Sequence, residues 1–198
     1  MRKKKKMTLK TTVAEQLSFF IVVLTLGLSL FYTNKEHRAL LSMKGKDTYQ
    51  FVRTIAHPTH YISQRYDLYN SVMMAQAILE SNNGKSALSK SPDYNYFGIK
   101  GKYKHQSVTY QTWEDDGSGN PYQINAAFKS YRSQINAFKD YATLLQLDRY
   151  QHVRRHNSNN YQEATATLTG NYATDTAYNT KLNHIIKSYH LYLFDYYN

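Results

Sequence analysis

Two glutamates are the strongest candidates for chemistry in this 198-residue chain. Glu80 ends the apolar run 71–80, whose three- and four-residue spacings predict a buried helix that stops before Gly84. Glu114 follows in a segment of alternating residues. A carboxylate at the rim of an apolar element is either paired, merely solvated or kept partly protonated for acid chemistry. With a second carboxylate that stays ionised, Glu80 would form the pair that a glycosidase needs.

A β-hairpin is predicted to hold the second carboxylate. From residue 105 the pattern has a period of two, which places Tyr110 and Glu114 on one strand face and Trp113 on the other. The segment 115–120 supplies the turn, and 122–128 returns as the partner strand. Asp115 and Asp116 are interpreted as solvated turn residues that serve as alternatives to Glu114.

Helical patterns surround this hairpin. Apolar spacings predict helices from Phe51 onward, with an interruption at Pro58, and over 133–147, 161–168 and 180–192. The predicted fold is mainly α, in the α+β class: a helical body and a small hairpin lobe with a cleft between them.

The composition narrows the function classes. The absence of cysteine excludes disulfides, thiolate zinc sites and cysteine nucleophiles. The 20 tyrosines suit both core edges and stacking on sugars. The formal net charge of +11 favours a polyanionic partner, which leaves nucleic acid, an anionic membrane surface and an anionic wall polymer.

The N-terminal segment predicts a membrane anchor. Residues 1–16 form a basic head, and 17–32 form an uncharged, largely apolar run. No A-x-A-like site follows it, so we expect an uncleaved signal anchor that leaves the rest of the chain outside, while cleavage would give a secreted protein. A stalk is predicted at 33–50 and the catalytic domain at 51–198.

Five motifs in order resemble glycoside hydrolase family 73, the peptidoglycan N-acetylglucosaminidases of autolysins and flagellar muramidase-like proteins. They are AQAILES with GKS at 75–86, NYFGIKG at 95–101, TWE at 112–114, FKSY at 128–131, and YATD at 172–175 with Tyr178, Lys181 and Leu182. The resemblance covers residue 51 to the C-terminus.

This resemblance implies a lysozyme-like fold and cleavage of the β-1,4 bond after N-acetylglucosamine in the glycan strand. It implies Glu80 as the general acid, Glu114 as the second carboxylate and Tyr172 as a cleft residue beside the reacting sugar. The motif positions also imply a set of substrate contacts. These are Ser81, Asn95, Tyr96, Phe97, Gly98, Tyr110, Trp113, Asp175 and Tyr178.

Other functions remain open at this point. Lytic transglycosylases and goose-type lysozymes share a helix-ending Glu-Ser signature, although the segment 95–101 does not resemble the one that follows it in those enzymes. A non-catalytic wall-binding domain could keep the same fold. Nucleic-acid binding rests on basicity alone, because no reading motif accompanies the charge.

No metal or cofactor is predicted. His152 and His156 are four residues apart, but no third ligand accompanies them and two arginines lie between them. Phosphate loops and serine elbows are absent from the sequence. The expected partners are therefore the peptidoglycan glycan, with anionic wall polymers and the membrane as further surfaces, and a monomer is expected.

Overall fold

A computed structural model describes residues 47–115 and 121–196, together with scattered positions between 21 and 38. The side chains at 113–115 and 121 lie outside the described part. The elements are α1 (Asp47–Arg65), α2 (Asn70–Ser81), β1 (Ser107–Asp115), β2 (Pro121–Lys129), α3 (Gln134–Leu144), α4 (Tyr161–Leu168) and α5 (Tyr178–Ser188). Short 3₁₀ helices occupy Ala87–Ser89, Asp148–Val153, Arg155–Asn157 and Leu191–Tyr196. The mainly helical architecture with one hairpin is confirmed.

Helix α2 is the central element of the body. Every residue from Asn70 to Ile78 is buried, Leu79 is half-buried and Glu80 is exposed. The helix therefore runs through the core and reaches solvent at its last turn. Asn82 then adopts the left-handed conformation, with φ of 50°, which ends the helix. The sequence pattern correctly places an apolar approach in front of the Glu80 carboxyl.

Helix α1 corrects the predicted interruption at Pro58. The helix continues through this proline, which is itself buried. A proline inside a helix costs roughly 3 kcal/mol, because it removes a hydrogen bond and crowds the preceding turn. Ile55 and Ile62 on either side are 0% and 1% exposed, so the burial of this face outweighs that cost.

Strands β1 and β2 form a two-stranded antiparallel sheet, as predicted. Val108 pairs with Phe128 at the base of the hairpin, and Glu114 pairs with Tyr122 close to its tip. Phe128 forms a β-bridge with Lys100, and the Lys129 N–H donates to the Ile99 carbonyl at 3.0 Å, so the base of this hairpin is attached to the 95–101 loop. Six residues along a strand span about 20 Å, which carries Glu114 well away from that base.

The N-terminus of α2 is capped from the far end of the chain. The N–H and the hydroxyl of Ser71 donate to the two carboxyl oxygens of Asp195, at 2.8 and 2.6 Å. Tyr69, the N-cap residue of α2, makes no side-chain capping hydrogen bond. Asp195 thus satisfies a helix donor that would otherwise be buried without a partner, and it joins the C-terminal 3₁₀ helix to the core.

Asp195 should make the stability depend on pH. Burial raises the pKa of its carboxyl to about 6, against the hydrogen bonds from Ser71, which lower it. Between the ordinary value of 3.8 and 6, the folded protein holds a proton that the unfolded chain has lost. The free energy of unfolding should therefore fall across this window by up to about 3 kcal/mol as the pH rises, and then level off.

Urea unfolding at pH 4, 5, 6 and 7 measures this slope, with Asp195→Asn as the comparison. The asparagine can still accept from the Ser71 N–H but carries no titrating proton. We expect the variant to lose most of the decline between pH 4 and 6. An equal slope in the two proteins would rule out Asp195 as its source.

Most of the predicted anchor at 17–32 and most of the predicted stalk lie outside the described residues. Within the part of the chain that the structure describes, no helix combines the length and the apolar content that a membrane crossing needs. The described body begins at Asp47, four residues before the predicted domain boundary at Phe51.

Candidate active site

Glu80 is placed by the last turn of α2 and held by one tyrosine. The Tyr178 hydroxyl donates to Glu80 Oε1 at 2.6 Å. Tyr178 begins α5 and is only 4% exposed, so its hydroxyl reaches the carboxyl from the protein interior. Among the described residues Glu80 forms no ion pair. The carboxyl therefore has a hydrogen-bond donor but no neutralising cation.

This environment raises the pKa of Glu80. Desolvation of the carboxyl by the surrounding protein is the larger cause, and the hydrogen bond from Tyr178 acts in the opposite direction. The residue as a whole is exposed, so solvent moderates the desolvation while leaving the carboxyl accessible to a substrate. A carboxyl with a raised pKa and open access is suited to give a proton to a leaving oxygen.

Behind Tyr178 the hydrogen bonds continue into the core. Gln76 Nε2 donates to the Tyr178 hydroxyl oxygen at 3.0 Å, and the Tyr141 hydroxyl donates to Gln76 Oε1. Gln76 and Tyr141 are both 0% exposed. We call Tyr141, Gln76, Tyr178 and Glu80 the Glu80 chain. It links α3, α2 and α5 through side chains near the C-terminal end of α2.

Tyr172 supports the site without contacting Glu80 through its hydroxyl. Its ring stacks on Tyr178 with centroids 6.0 Å apart, and its hydroxyl donates to the Phe97 carbonyl at 2.9 Å. Burial, with the negative charge of Glu80 as a smaller cause, holds the pKa of the Tyr172 hydroxyl well above its usual range. Tyr172 therefore stays a neutral donor and fixes the 95–101 loop beside Tyr178.

Four of the predicted substrate contacts are buried and structural. The Ser81 hydroxyl, 0% exposed, donates to the Ala77 carbonyl and accepts from the Gly84 N–H at 2.7 Å. Tyr96 accepts from Gln134 at 2.9 Å and stacks on Phe138. These hydroxyls are already used within the protein, and a role of Ser81 and Tyr96 in substrate contact stays a prediction.

Asn95 and Phe97 hold the same loop from inside. The Asn95 amide donates to the carbonyls of Ile99 and Lys129 at 2.9 and 3.0 Å, and its oxygen accepts from the Ile99 N–H. Phe97 stacks on Tyr141 with centroids 3.9 Å apart. Both residues are nearly inaccessible, so the structure shows them as supports of the loop, and their role as substrate contacts stays a prediction. They position Gly98, which is exposed and has φ of 63°.

Of the remaining predicted contacts, Asp175 stabilises a turn beside the site and Tyr110 lies on the hairpin. Asp175 accepts from Lys181 at 2.6 Å and from the Ala177 N–H at 2.9 Å, so it shapes the turn that begins α5 and delivers Tyr178. The ion pair with Lys181 holds the pKa of Asp175 below its usual range. Tyr110 is half-buried on β1. The side chains of Trp113 and Glu114 lie outside the described part, as does Asp116.

Sequence reasoning missed Gln76 and Tyr141. Gln76 contributes to the helical spacing and to the AQAILES motif, but neither assigns it a role, although an amide within an apolar helix is a signal in itself. It lies four residues before Glu80, which places the two on one helix face. Tyr141 belongs to a separate helical pattern, and nothing local in the sequence relates it to Glu80.

One hollow in the described residues lies away from Glu80. It has a volume of about 610 Å³ and includes Tyr69, Arg155 and Asp195 in its lining. Asp195 binds the N-terminus of α2, and Glu80 lies nine residues further along, about 14 Å at 1.5 Å per residue. The hollow is therefore separate from the Glu80 site.

Comparisons with known proteins agree with the geometry. The glucosaminidase family model, described as mannosyl-glycoprotein endo-beta-N-acetylglucosaminidase, matches residues 56–191. The catalytic domain of the autolysin Auto from Listeria monocytogenes superposes with a TM-score of 0.72 at 43% identity, over 77% of this chain and 89% of that chain. The exo-glucosaminidase LytG of Bacillus subtilis is 30% identical over 87% of this chain and 64% of that protein.

The autolysin of Enterococcus faecalis is 44% identical over 74% of this chain, which is 21% of that much longer protein. This chain thus spans less than two thirds of the length of these curated relatives. The match of the family model over most of the helical body nevertheless establishes the relationship. The chain belongs to the glucosaminidase family, glycoside hydrolase family 73.

Proposed function

We propose that this protein hydrolyses the β-1,4 bond after N-acetylglucosamine in peptidoglycan glycan strands. The observation that carries the proposal is the Glu80 carboxyl, which has a raised pKa, is open to solvent and is held by Tyr178 within a glucosaminidase domain. The names of an autolysin and an exo-glucosaminidase among the relatives support the same substrate class.

Glu80 acts as the general acid in this proposal. It gives its proton to the leaving glycosidic oxygen, and the negative charge that then appears on Glu80 is stabilised by the Tyr178 hydroxyl. Glu114 serves as the second carboxylate, on the hairpin lobe and near its tip. Asp115 and Asp116 are the alternatives for that role.

The bond is identified by mass spectrometry of purified peptidoglycan digested to completion. We expect new reducing ends on N-acetylglucosamine. Reducing N-acetylmuramic acid would show a lysozyme-type cleavage, and anhydro-muramic ends would show a lytic transglycosylase. Either result would overturn the proposed bond specificity.

We also propose that the chain is held at the bacterial membrane by residues 17–32, with the catalytic domain facing the wall. The basic head and the apolar run support this orientation. The anchor would confine cleavage to glycan near the membrane, and the basic exterior suits anionic wall polymers. Cell fractionation with N-terminal sequencing tests it: a soluble form beginning near residue 33 would contradict an uncleaved anchor.

A further inference from the structure

We propose that Gln76 is a positioning residue that directs the Tyr178 hydroxyl proton onto Glu80, and that Tyr141 in turn fixes the orientation of the Gln76 amide. The starting observation is the burial of this amide. Gln76 is 0% exposed within a helix whose other buried positions are mostly apolar. A buried amide without partners is costly, and both polar atoms of Gln76 are bonded here, each to a tyrosine.

The direction of donation follows from the chemistry of each group. A phenol has one proton, and the buried Tyr141 hydroxyl gives its proton to Gln76 Oε1. The oxygen of the amide is thereby turned toward Tyr141 and its NH₂ group toward Tyr178. Because Gln76 Nε2 donates to the Tyr178 oxygen, the single proton of Tyr178 is left for Glu80, at 2.6 Å.

The reverse orientation of the amide would have a chemical cost. With Gln76 Oε1 facing Tyr178, the amide oxygen would compete with Glu80 for the Tyr178 proton. The Tyr141 hydroxyl would face an NH₂ group and lose its acceptor in a site that is 0% exposed. Tyr141 therefore selects the orientation in which the whole Glu80 chain donates toward the carboxyl.

This arrangement supplies a preorganised donor at the place where charge develops. Glu80 becomes negative as it gives up its proton to the leaving oxygen, and a donor that is already aimed at Oε1 requires no reorganisation at that moment. Tyr178 remains protonated throughout, because burial and the adjacent Glu80 hold the pKa of its hydroxyl far above its usual range. Gln76 thus acts on catalysis through Tyr178 and contacts no substrate.

The test compares Gln76→Met and Tyr178→Phe in the full-length protein, with the pH profile of kcat as the readout. Methionine fills the volume of Gln76 but cannot donate to Tyr178. We expect Tyr178→Phe to show two changes: the rate at acidic pH falls about tenfold, as expected for loss of one hydrogen bond to a charged group, and the alkaline limb moves to higher pH, because Glu80 loses the interaction that lowers its pKa. Gln76→Met should show the same two changes to a smaller extent, because Tyr178 keeps its proton but loses the hydrogen bond that orients its hydroxyl toward Glu80.

Tyr150→Phe is the matched control. Tyr150 is 2% exposed and its hydroxyl donates to the Asn171 carbonyl at 3.0 Å, outside the Glu80 chain. Tyr150→Phe removes a buried hydroxyl without changing a hydrogen bond of Gln76 or Tyr178. We expect its pH profile to keep its shape. A Gln76→Met profile that only scales down evenly at every pH, as a general packing defect would produce, overturns the proposal.

A titration of the Glu80 carboxyl by ¹³C NMR separates this inference from the proposed function on which its kinetics rest. The Glu80 signal, assigned by its absence in Glu80→Gln, should titrate at higher pH in Gln76→Met than in the wild type. If the wild type cleaves glycan but the Glu80 titration is the same in Gln76→Met as in the wild type, the inference about Gln76 is wrong and the proposed function stands. If the Glu80 titration is shifted in Gln76→Met but the wild type cleaves no glycan, the proposed function is wrong and the inference about Gln76 stands.

A second variant covers the outcome in which Gln76→Met fails to fold. Tyr141→Phe keeps Gln76 but removes the hydroxyl that turns its amide oxygen away from Tyr178, so the amide oxygen can compete with Glu80 for the Tyr178 proton. We expect the Glu80 titration to move up in this variant too. An unchanged Glu80 titration in Tyr141→Phe overturns the proposal.

Discussion

Glu80→Gln should reduce kcat on purified peptidoglycan by roughly 10²–10⁴-fold, the range that one positioned general acid contributes. The amide keeps the shape of the side chain and can still accept from the Tyr178 hydroxyl, but it has no proton to give to the leaving oxygen. The folded structure should be unaffected, because Glu80 is exposed at the end of α2 and forms no ion pair among the described residues. Release of soluble glycan fragments measures the loss.

The matched control is Asp148→Asn, which neutralises an exposed carboxyl that takes no part in the Glu80 chain. It should retain wild-type rates. Binding of Glu80→Gln to insoluble sacculi should stay near that of the wild type, since the lost group acts in the chemical step. If Glu80→Gln kept most of the activity, Glu80 would not be the acid. If the wild type bound sacculi without cleaving them, the domain would be a non-catalytic wall-binding module.

The sequence predicts an element correctly where its pattern lies in neighbouring residues. The apolar spacing of 71–80 and the alternation after residue 105 each depend on neighbouring residues, and both appear in the structure as α2 and β1. Pro58 shows the limit of this reasoning. Its local preference argues for a break, yet the packing of Ile55 and Ile62 against distant residues keeps α1 continuous.

The candidate site shows a different limit. The motif resemblance singled out Asn95, Tyr96 and Phe97, but a motif does not say whether a side chain faces the cleft or the core. The structure turns all three inward, where they shape the loop that Tyr172 holds through the Phe97 carbonyl. Gln76 and Tyr141 lie 65 residues apart in the chain, so their contact depends on the packing of α3 against the core and leaves no local trace.

Gly84→Ala should lower the free energy of unfolding by about 3 kcal/mol, because two costs coincide at this position. Its φ of 68° lies in the left-handed region, which costs a non-glycine residue roughly 1–2 kcal/mol. An added Cβ would also lie 2.5 Å from the ring of Phe51, which is 8% exposed and unable to move freely. Overpacking of this kind costs about 1–3 kcal/mol. Urea unfolding measures the sum.

Gly170→Ala separates the two costs. Gly170 has φ of 80°, but nothing lies within 4 Å of the position its Cβ would take, so this variant should show the backbone cost alone. The Phe51 contribution follows from Gly84→Ala combined with Phe51→Leu, whose smaller side chain makes room. We expect the double variant to be more stable than the sum of the single losses by about 1 kcal/mol or more.

If Gly84→Ala and Gly170→Ala lowered the free energy of unfolding by equal amounts, the Phe51 ring would move aside without an energetic penalty. The close approach of Gly84 to Phe51 should affect catalysis as well as stability. The Gly84 N–H donates to the Ser81 hydroxyl at 2.7 Å and closes the turn that directly follows Glu80. A side chain that pushes this turn away from Phe51 would move the end of α2. Gly84→Ala should therefore lower kcat at temperatures where the protein is still folded, whereas Gly170→Ala should not.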